Sequence, residues 1–139
     1  MQSEVKSAAG GAEKDREIWV GENRIYLGEN DIYYITIVGE IDEKIALEFR
    51  NAIFEFNNRF GKKIRNSFID INRARKVSSK ARKILKGLSD DNEIGGGKSA
   101  FFGLHPVARV LASFFIGLSK DVNQRFFETK EEALEWLKE

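Results

Sequence analysis

Ser78 and Ser79 are the residues in this chain best placed to do chemistry, because of the company they keep. They follow Arg73, Arg75 and Lys76 and precede Lys80, Arg82 and Lys83. A serine in the first turn of a helix lies at the positive end of the helix dipole, where a phosphate group is stabilised. Arg75, Lys76, Lys80 and Arg82 would reinforce that field, and the same constellation suits a bound phosphate or other small anion. The ordinary alternative is a helix start in which Ser78 caps the backbone and Ser79 is simply exposed. The wider charge pattern points the same way. From Arg59 to Lys86 the chain carries eleven lysines and arginines against one acid, Asp70. The net charge of the whole chain is only +1, so the remainder is net acidic. Such segregation fits an anionic partner, and it equally fits the solvated surface of two helices and a loop.

The other combinations are weaker. Gly95-Gly96-Gly97-Lys98-Ser99 is similar to the end of a phosphate-binding loop, but Asn92 stands where the first glycine belongs. The run also leads into an expected strand, whereas that loop must open a helix. Asp90, Asp91 and Glu93 lack the further ligands and the glycine of a calcium loop. His105 has no serine or cysteine partner at an identifiable spacing, and Glu40 and Asp42 are accounted for by a strand end and a helix cap. There are no cysteines and one histidine, which excludes disulfides, thiolate metal sites and a histidine-based metal site. No catalytic set, metal site or cofactor is expected, and the chain reads as non-enzymatic. The basic stretch is not interleaved with stacking aromatics and matches no nucleic-acid motif, so nucleic acid is not a favoured partner.

The elements that would position these residues follow from periodicity. Arg24 to Leu27 and Ile32 to Val38 read as antiparallel strands around the polar turn Gly28–Asp31; Trp19 and Val20 extend the first strand or cap the sheet edge. Asp42 is the expected N-cap of a helix from Glu43 to Phe60, stopped by Gly61. Ser67 to Ile71 reads as a buried parallel strand. A polar loop, Asn72 to Lys76, would then lead to a second helix from Ser79 to Leu88, capped by Ser78. Ala100 to Leu104 is the next strand, and Pro106 opens a third helix. Gln124 to Phe127 is the last strand, and Thr129 with Glu132 forms the capping box of a closing helix that ends at Lys138. The order ββαβαβαβα implies one α/β domain with a mixed, mostly parallel sheet.

The third helix carries more apolar surface than one sheet contact needs. Val107, Val110, Leu111, Phe114 and Leu118 suffice for a core face, which leaves Phe115 and Ile116 as surplus. They either pack on a neighbouring helix or form a patch for a protein partner, a lipid or a second copy of the chain, the last making a homodimer through residues 105–118. Together with 11 phenylalanines, this surplus also fits a carrier or sensor of a lipid or other apolar small molecule. Residues 1–17 have no apolar core of a signal peptide and read as a disordered leader before a domain at 18–139. Val107 to Leu118 is too short and too interrupted to span a bilayer.

With the elements in place, several segments resemble STAS domains. Val38-Gly39-Glu40-Ile41-Asp42 is similar to their strand-to-helix junction, and Phe68-Ile69-Asp70-Ile71 to their central strand. Phe102 to Val110, Gly117-Leu118 and Phe127 to Leu134 resemble their later strands and helices. The resemblance covers the chain from about Arg24 onward and looks most like the stand-alone branch related to bacterial anti-sigma-factor antagonists. It implies a cytoplasmic regulatory or interaction module that binds a partner protein, such as an anti-sigma-type kinase, or a small anionic ligand. In those antagonists the second helix opens with D-S-S-G and one serine is phosphorylated. Here the matching run is Ser78-Ser79-Lys80-Ala81, with Ser79 in the phosphorylated position and the other three positions changed. On this reading the site is Ser79, Ser78, Arg75, Lys76 and Lys80, and the partner or lipid surface is Arg73, Arg82, Lys83, Phe115 and Ile116.

Overall fold

The computed structural model describes residues 15–118 and 123–139; within the third helix the side chains of 114, 115, 117 and 118 are outside the description. Six strands form one sheet whose spatial order is the chain order. β1 (Glu17–Val20), β2 (Asn23–Leu27) and β3 (Tyr33–Ile41) are antiparallel neighbours. β3, β4 (Ser67–Val77), β5 (Ser99–Phe102) and β6 (Gln124–Phe127) run parallel. The crossovers are α1 (Glu43–Phe60), α2 (Ser79–Ser89) and α3 (Pro106–Leu118), and α4 (Lys130–Lys138) closes the chain. This is the mixed α/β sheet expected from the sequence, with one more strand.

That extra strand is β1. Gly21 takes a positive φ of 61° and lets the chain reverse between Val20 and Asn23, so Trp19 and Val20 pair with β2 as a separate edge strand. Asn23 is buried and locks the corner: its side chain donates to Val20 O (2.9 Å) and accepts from Val38 N (2.7 Å). The fold therefore reaches further back than expected. Glu17 belongs to β1, and Arg16 donates to Leu27 O and Gly28 O and lies over the Phe60 ring. The rest of the expected leader, 1–14, lies outside the described residues.

The second departure is β4. The expected loop Asn72–Lys76 is strand, paired with an equally extended β3 through Val38↔Arg73, Gly39↔Ala74 and Glu40↔Lys76. Charge concealed the strand. Ala74 and Val77 point into the core, while Arg73, Arg75 and Lys76 occupy positions open to water, which a strand beyond its helix cover tolerates.

Strand alternation divides the interior in two. On one face, Ile25, Leu27, Ile37, Ile71 and Phe101 meet Phe49 and Phe56 of α1, Ala81 of α2, and Ala108 and Leu111 of α3. On the other face, Phe68, Ala100 and Phe127 meet Ala133, Trp136 and Leu137 of α4. The helix caps stand as the sequence requires. Asp42 accepts from Ile45 N (2.9 Å), Ser78 from Ala81 N (3.1 Å) and Thr129 from Glu132 N (3.2 Å).

Candidate functional site

The start of α2 is held by β3 and by its own cap. Ser78 N donates to Ile41 O (3.0 Å), and buried Ala81 seats the first turn on the core. Ser79 is therefore turned outward and exposed. Of the cations expected around it, one makes contact: Arg82 Nη2 donates to Ser79 Oγ (3.2 Å). Lys80 lies 4.0 Å from Glu43, and Arg75 donates to the carbonyl of Ala74. Arg73 and Arg75 flank buried Ala74, so they project to the side of the strand opposite the core on which α2 packs. The cations gather at the end of the sheet where α2 begins, but not on one face.

Much of the basic stretch is neutralised. Arg59 pairs with Glu55, Lys62 with Glu93, Lys63 with Asp31 and Lys86 with Asp90. Arg65 is wholly buried. It bonds Asp31 (2.9 Å), Asn57 Oδ1 (3.3 Å) and the carbonyls of Phe60 (3.2 Å) and Gly61 (2.9 Å) at the end of α1. Burial raises the Asp31 carboxyl, but hydrogen bonds from Lys63 and Arg65 and their charges outweigh it and hold the group below its ordinary value. Burial pushes the neighbouring Tyr33 hydroxyl up, with the Arg65 charge opposing it. Among the described residues, Arg73, Arg75, Lys76 and Lys83 have no acidic side chain within ion-pair distance.

The third helix is turned differently from expectation. Ala108, Leu111 and Ala112 face the core, and Ile116 is half-buried against it. Phe115 is among the undescribed side chains. The apolar surface lies instead at the helix start, where Leu104, Val107 and Val110 are 74%, 41% and 56% exposed. The cause is a close approach. A Cβ on Gly103 would stand 2.3 Å from Ala108 Cβ, so the small side of the helix must face the sheet and the valines turn out. His105 Nδ1 accepts from Val107 N (3.1 Å), giving it a cap role. Asn72 Oδ1 accepts from Leu104 N (2.6 Å) and ties this junction to β4. Ser79 and the Leu104–Val110 stripe both lie beyond the C-terminal ends of parallel strands, at one end of the sheet.

A cavity of about 170 Å³ lies between the sheet and α2. Ala81 seats the start of α2 on the core, and the space opens beneath Leu85 and Leu88 further along the helix. Ile35, Ile37, Ile69 and Phe101 form its floor, Phe49 and Ile53 one wall, and Leu85 and Leu88 its roof. Gly95–Gly97 close one end. They have a packing role there: a Cβ on Gly95 would meet Leu88 O at 2.2 Å, and one on Gly97 would meet Arg65 O at 2.3 Å. Polar lining comes from Ser67, Ser89, Ser99 and Gln124, with Tyr33 and Arg65 beside them and Arg82 and Lys86 on α2. Sequence reasoning allowed for an apolar ligand but did not place the cavity, and it passed over the Leu104–Val110 stripe. The polar residues opening three consecutive core strands were the available signal for the first. Among the described residues no cluster of three or more His, Asp or Glu side chains suits a metal ion, and no helix is long and apolar enough to cross a membrane.

Residues 26–139 match the model of a family described as a domain of unknown function, DUF7793. The chain belongs to the DUF7793 family. No curated protein matches it. Among solved structures, the DUF7793 chain is similar to an uncharacterized DUF3478 protein with a SpoIIAA-like fold from Shewanella loihica PV-4. The TM-score is 0.60 at 19% identity, over 83% of this chain and 91% of that one. The anti-sigma factor antagonist SpoIIAA in its unphosphorylated form gives 0.58 at 15% identity, over 84% and 97%. An anti-sigma factor antagonist from Mycobacterium paratuberculosis gives 0.58 at 19%, over 90% and 97%. The likeness at these identities is one of fold: this DUF7793 chain has the STAS, or SpoIIAA-like, architecture.

Proposed function

We propose that the chain is a non-enzymatic STAS-type regulatory module of the cytoplasm that binds a partner protein at the end of the sheet where α2 and α3 begin. The observation that carries this reading is the pairing of an exposed serine in the first turn of α2 with an exposed apolar stripe, Leu104, Val107 and Val110, at the same end. Apolar side chains would anchor the partner. Arg73, Arg75, Lys76 and Lys83 would favour an acidic one and speed its approach. Ser79 occupies the position at which a phosphate would meet the helix dipole and Arg82, so its phosphorylation by a partner kinase would switch the contact. The solved anti-sigma factor antagonists support the reading through shared fold.

The test uses the full chain as bait in lysate from its own cells. Val110→Asp should abolish capture of the specific partner, and Ser79→Asp should change it at least about tenfold. Both variants should keep the melting temperature of the wild type, since both side chains are exposed. Capture that ignores both substitutions overturns the reading. A second copy captured in place of another protein would make α3 a homodimer surface.

The cavity favours a second reading, a carrier or sensor of an apolar small molecule. Native mass spectrometry of the purified chain should then show a bound molecule that denaturation releases.

A further inference from the structure

The floor of the cavity has two chemically distinct rows. Ser67, Ser99 and Gln124 are register partners at the starts of β4, β5 and β6. Two residues along, Ile35, Ile69 and Phe101 form an apolar row across β3, β4 and β5. Residues of both rows line the same space. Gln124 donates through Nε2 to Ser89 Oγ (3.3 Å), while its Oε1 is buried with no hydrogen-bond partner among the described residues. Turning the amide over exchanges oxygen and nitrogen and leaves the NH₂ group without a partner instead. One end of the amide therefore calls for a partner in either setting, and buried polar groups left unpaired are costly. A hydroxyl both donates and accepts, so it answers both settings. The polar row carries no charge, and the cations that also line the space are engaged: Lys86 with Asp90, Arg65 with Asp31, and Arg82 with Ser79 Oγ. The volume of about 170 Å³ is close to that of engineered apolar cavities, about 150 Å³, that hold benzene.

We propose that this cavity is a binding site for a small uncharged alcohol or phenol, with its hydroxyl on Gln124 and its apolar body on Ile35, Ile69, Phe101 and Leu85. The body would hold about six to nine heavy atoms. The assignment rests on the second reading above and is independent of the partner surface. Because α2 is the roof of the cavity and carries Ser79 at its start, occupancy would also bear on how firmly that helix is seated.

The probes are 4-ethylphenol and its isostere 4-ethyltoluene, added to the isotopically labelled full chain and followed by amide NMR shifts. Both should move the amides of Ser67, Ser99, Gln124 and Leu85. The phenol should bind at least about tenfold more tightly. Gln124→Leu should bring the two probes to similar affinity. Leu85→Trp fills the cavity from the roof and should abolish binding of both, which keeps the test decisive if Gln124→Leu does not fold. Equal affinity of the two probes in the wild type overturns the hydroxyl assignment and leaves ligand sensing standing. Absence of shifts at these amides with either probe overturns both.

Discussion

The guanidinium of Arg65 is enclosed on every side. It satisfies Asp31, Asn57 and the terminal carbonyls of α1 at once, and so joins that helix end to the β2–β3 turn. Removing the cation would leave the two carbonyls without their donor and Asp31 with Lys63 alone. Arg65→Met should therefore cost about 1–3 kcal/mol in denaturant unfolding, chiefly from the unpaired carbonyls. The same contact sets a pH dependence. Asp31 has a folded value below its ordinary 3.8, so its pair contributes fully above that value and is lost as pH falls through the lower folded one. Asp31→Asn should lower stability at neutral pH and flatten the acid limb of the stability profile below pH 3.8; an unchanged limb would show that Asp31 does not drive it. Arg65 was indistinguishable in sequence from the cations around it. Spacing cannot say which one lies under a helix end.

At the scale of elements, the helices were legible where a chemical cap marks them: Asp42, Ser78 and Thr129 all accept the backbone donors expected of them. The phase of α3 was not. Its sequence is apolar around most of the circumference, so periodicity carries little information, and the deciding contact is the long-range approach of Gly103 to Ala108. The strand through Asn72–Lys76 was hidden for the opposite reason, since solvated charge dominates its composition while only Ala74 and Val77 record the buried side. A cavity beneath α2 is invisible to any local pattern, because it depends on how far one helix stands from the sheet. Two glycines on this side of the molecule have opposite predicted behaviour. Gly87 lies within α2 with open space where a Cβ would go, so Gly87→Ala should raise stability by about 0.5–1 kcal/mol. Gly97 abuts the backbone of Arg65, so Gly97→Ala should cost about 1–3 kcal/mol. Thermal melts of the two variants would shift in opposite directions.

On the scale of the whole molecule, the two faces of the sheet are built unequally. Among the described residues, three helices cover one face and α4 alone packs on the other, where Trp19 near the β1 edge is 46% exposed. The edge strand still belongs to the domain. Val20 is buried and Leu27 N donates to Arg16 O (2.8 Å). A chain beginning at Gly21 should lose at least about 1.5–3 kcal/mol from Val20 alone, measured as a lower denaturation midpoint. The order of the strands in space also has a consequence for biosynthesis. Each strand pairs with the one made just before it, so as the nascent polypeptide leaves the ribosome every new strand meets a neighbour already synthesised, and none has to be inserted later between two earlier ones.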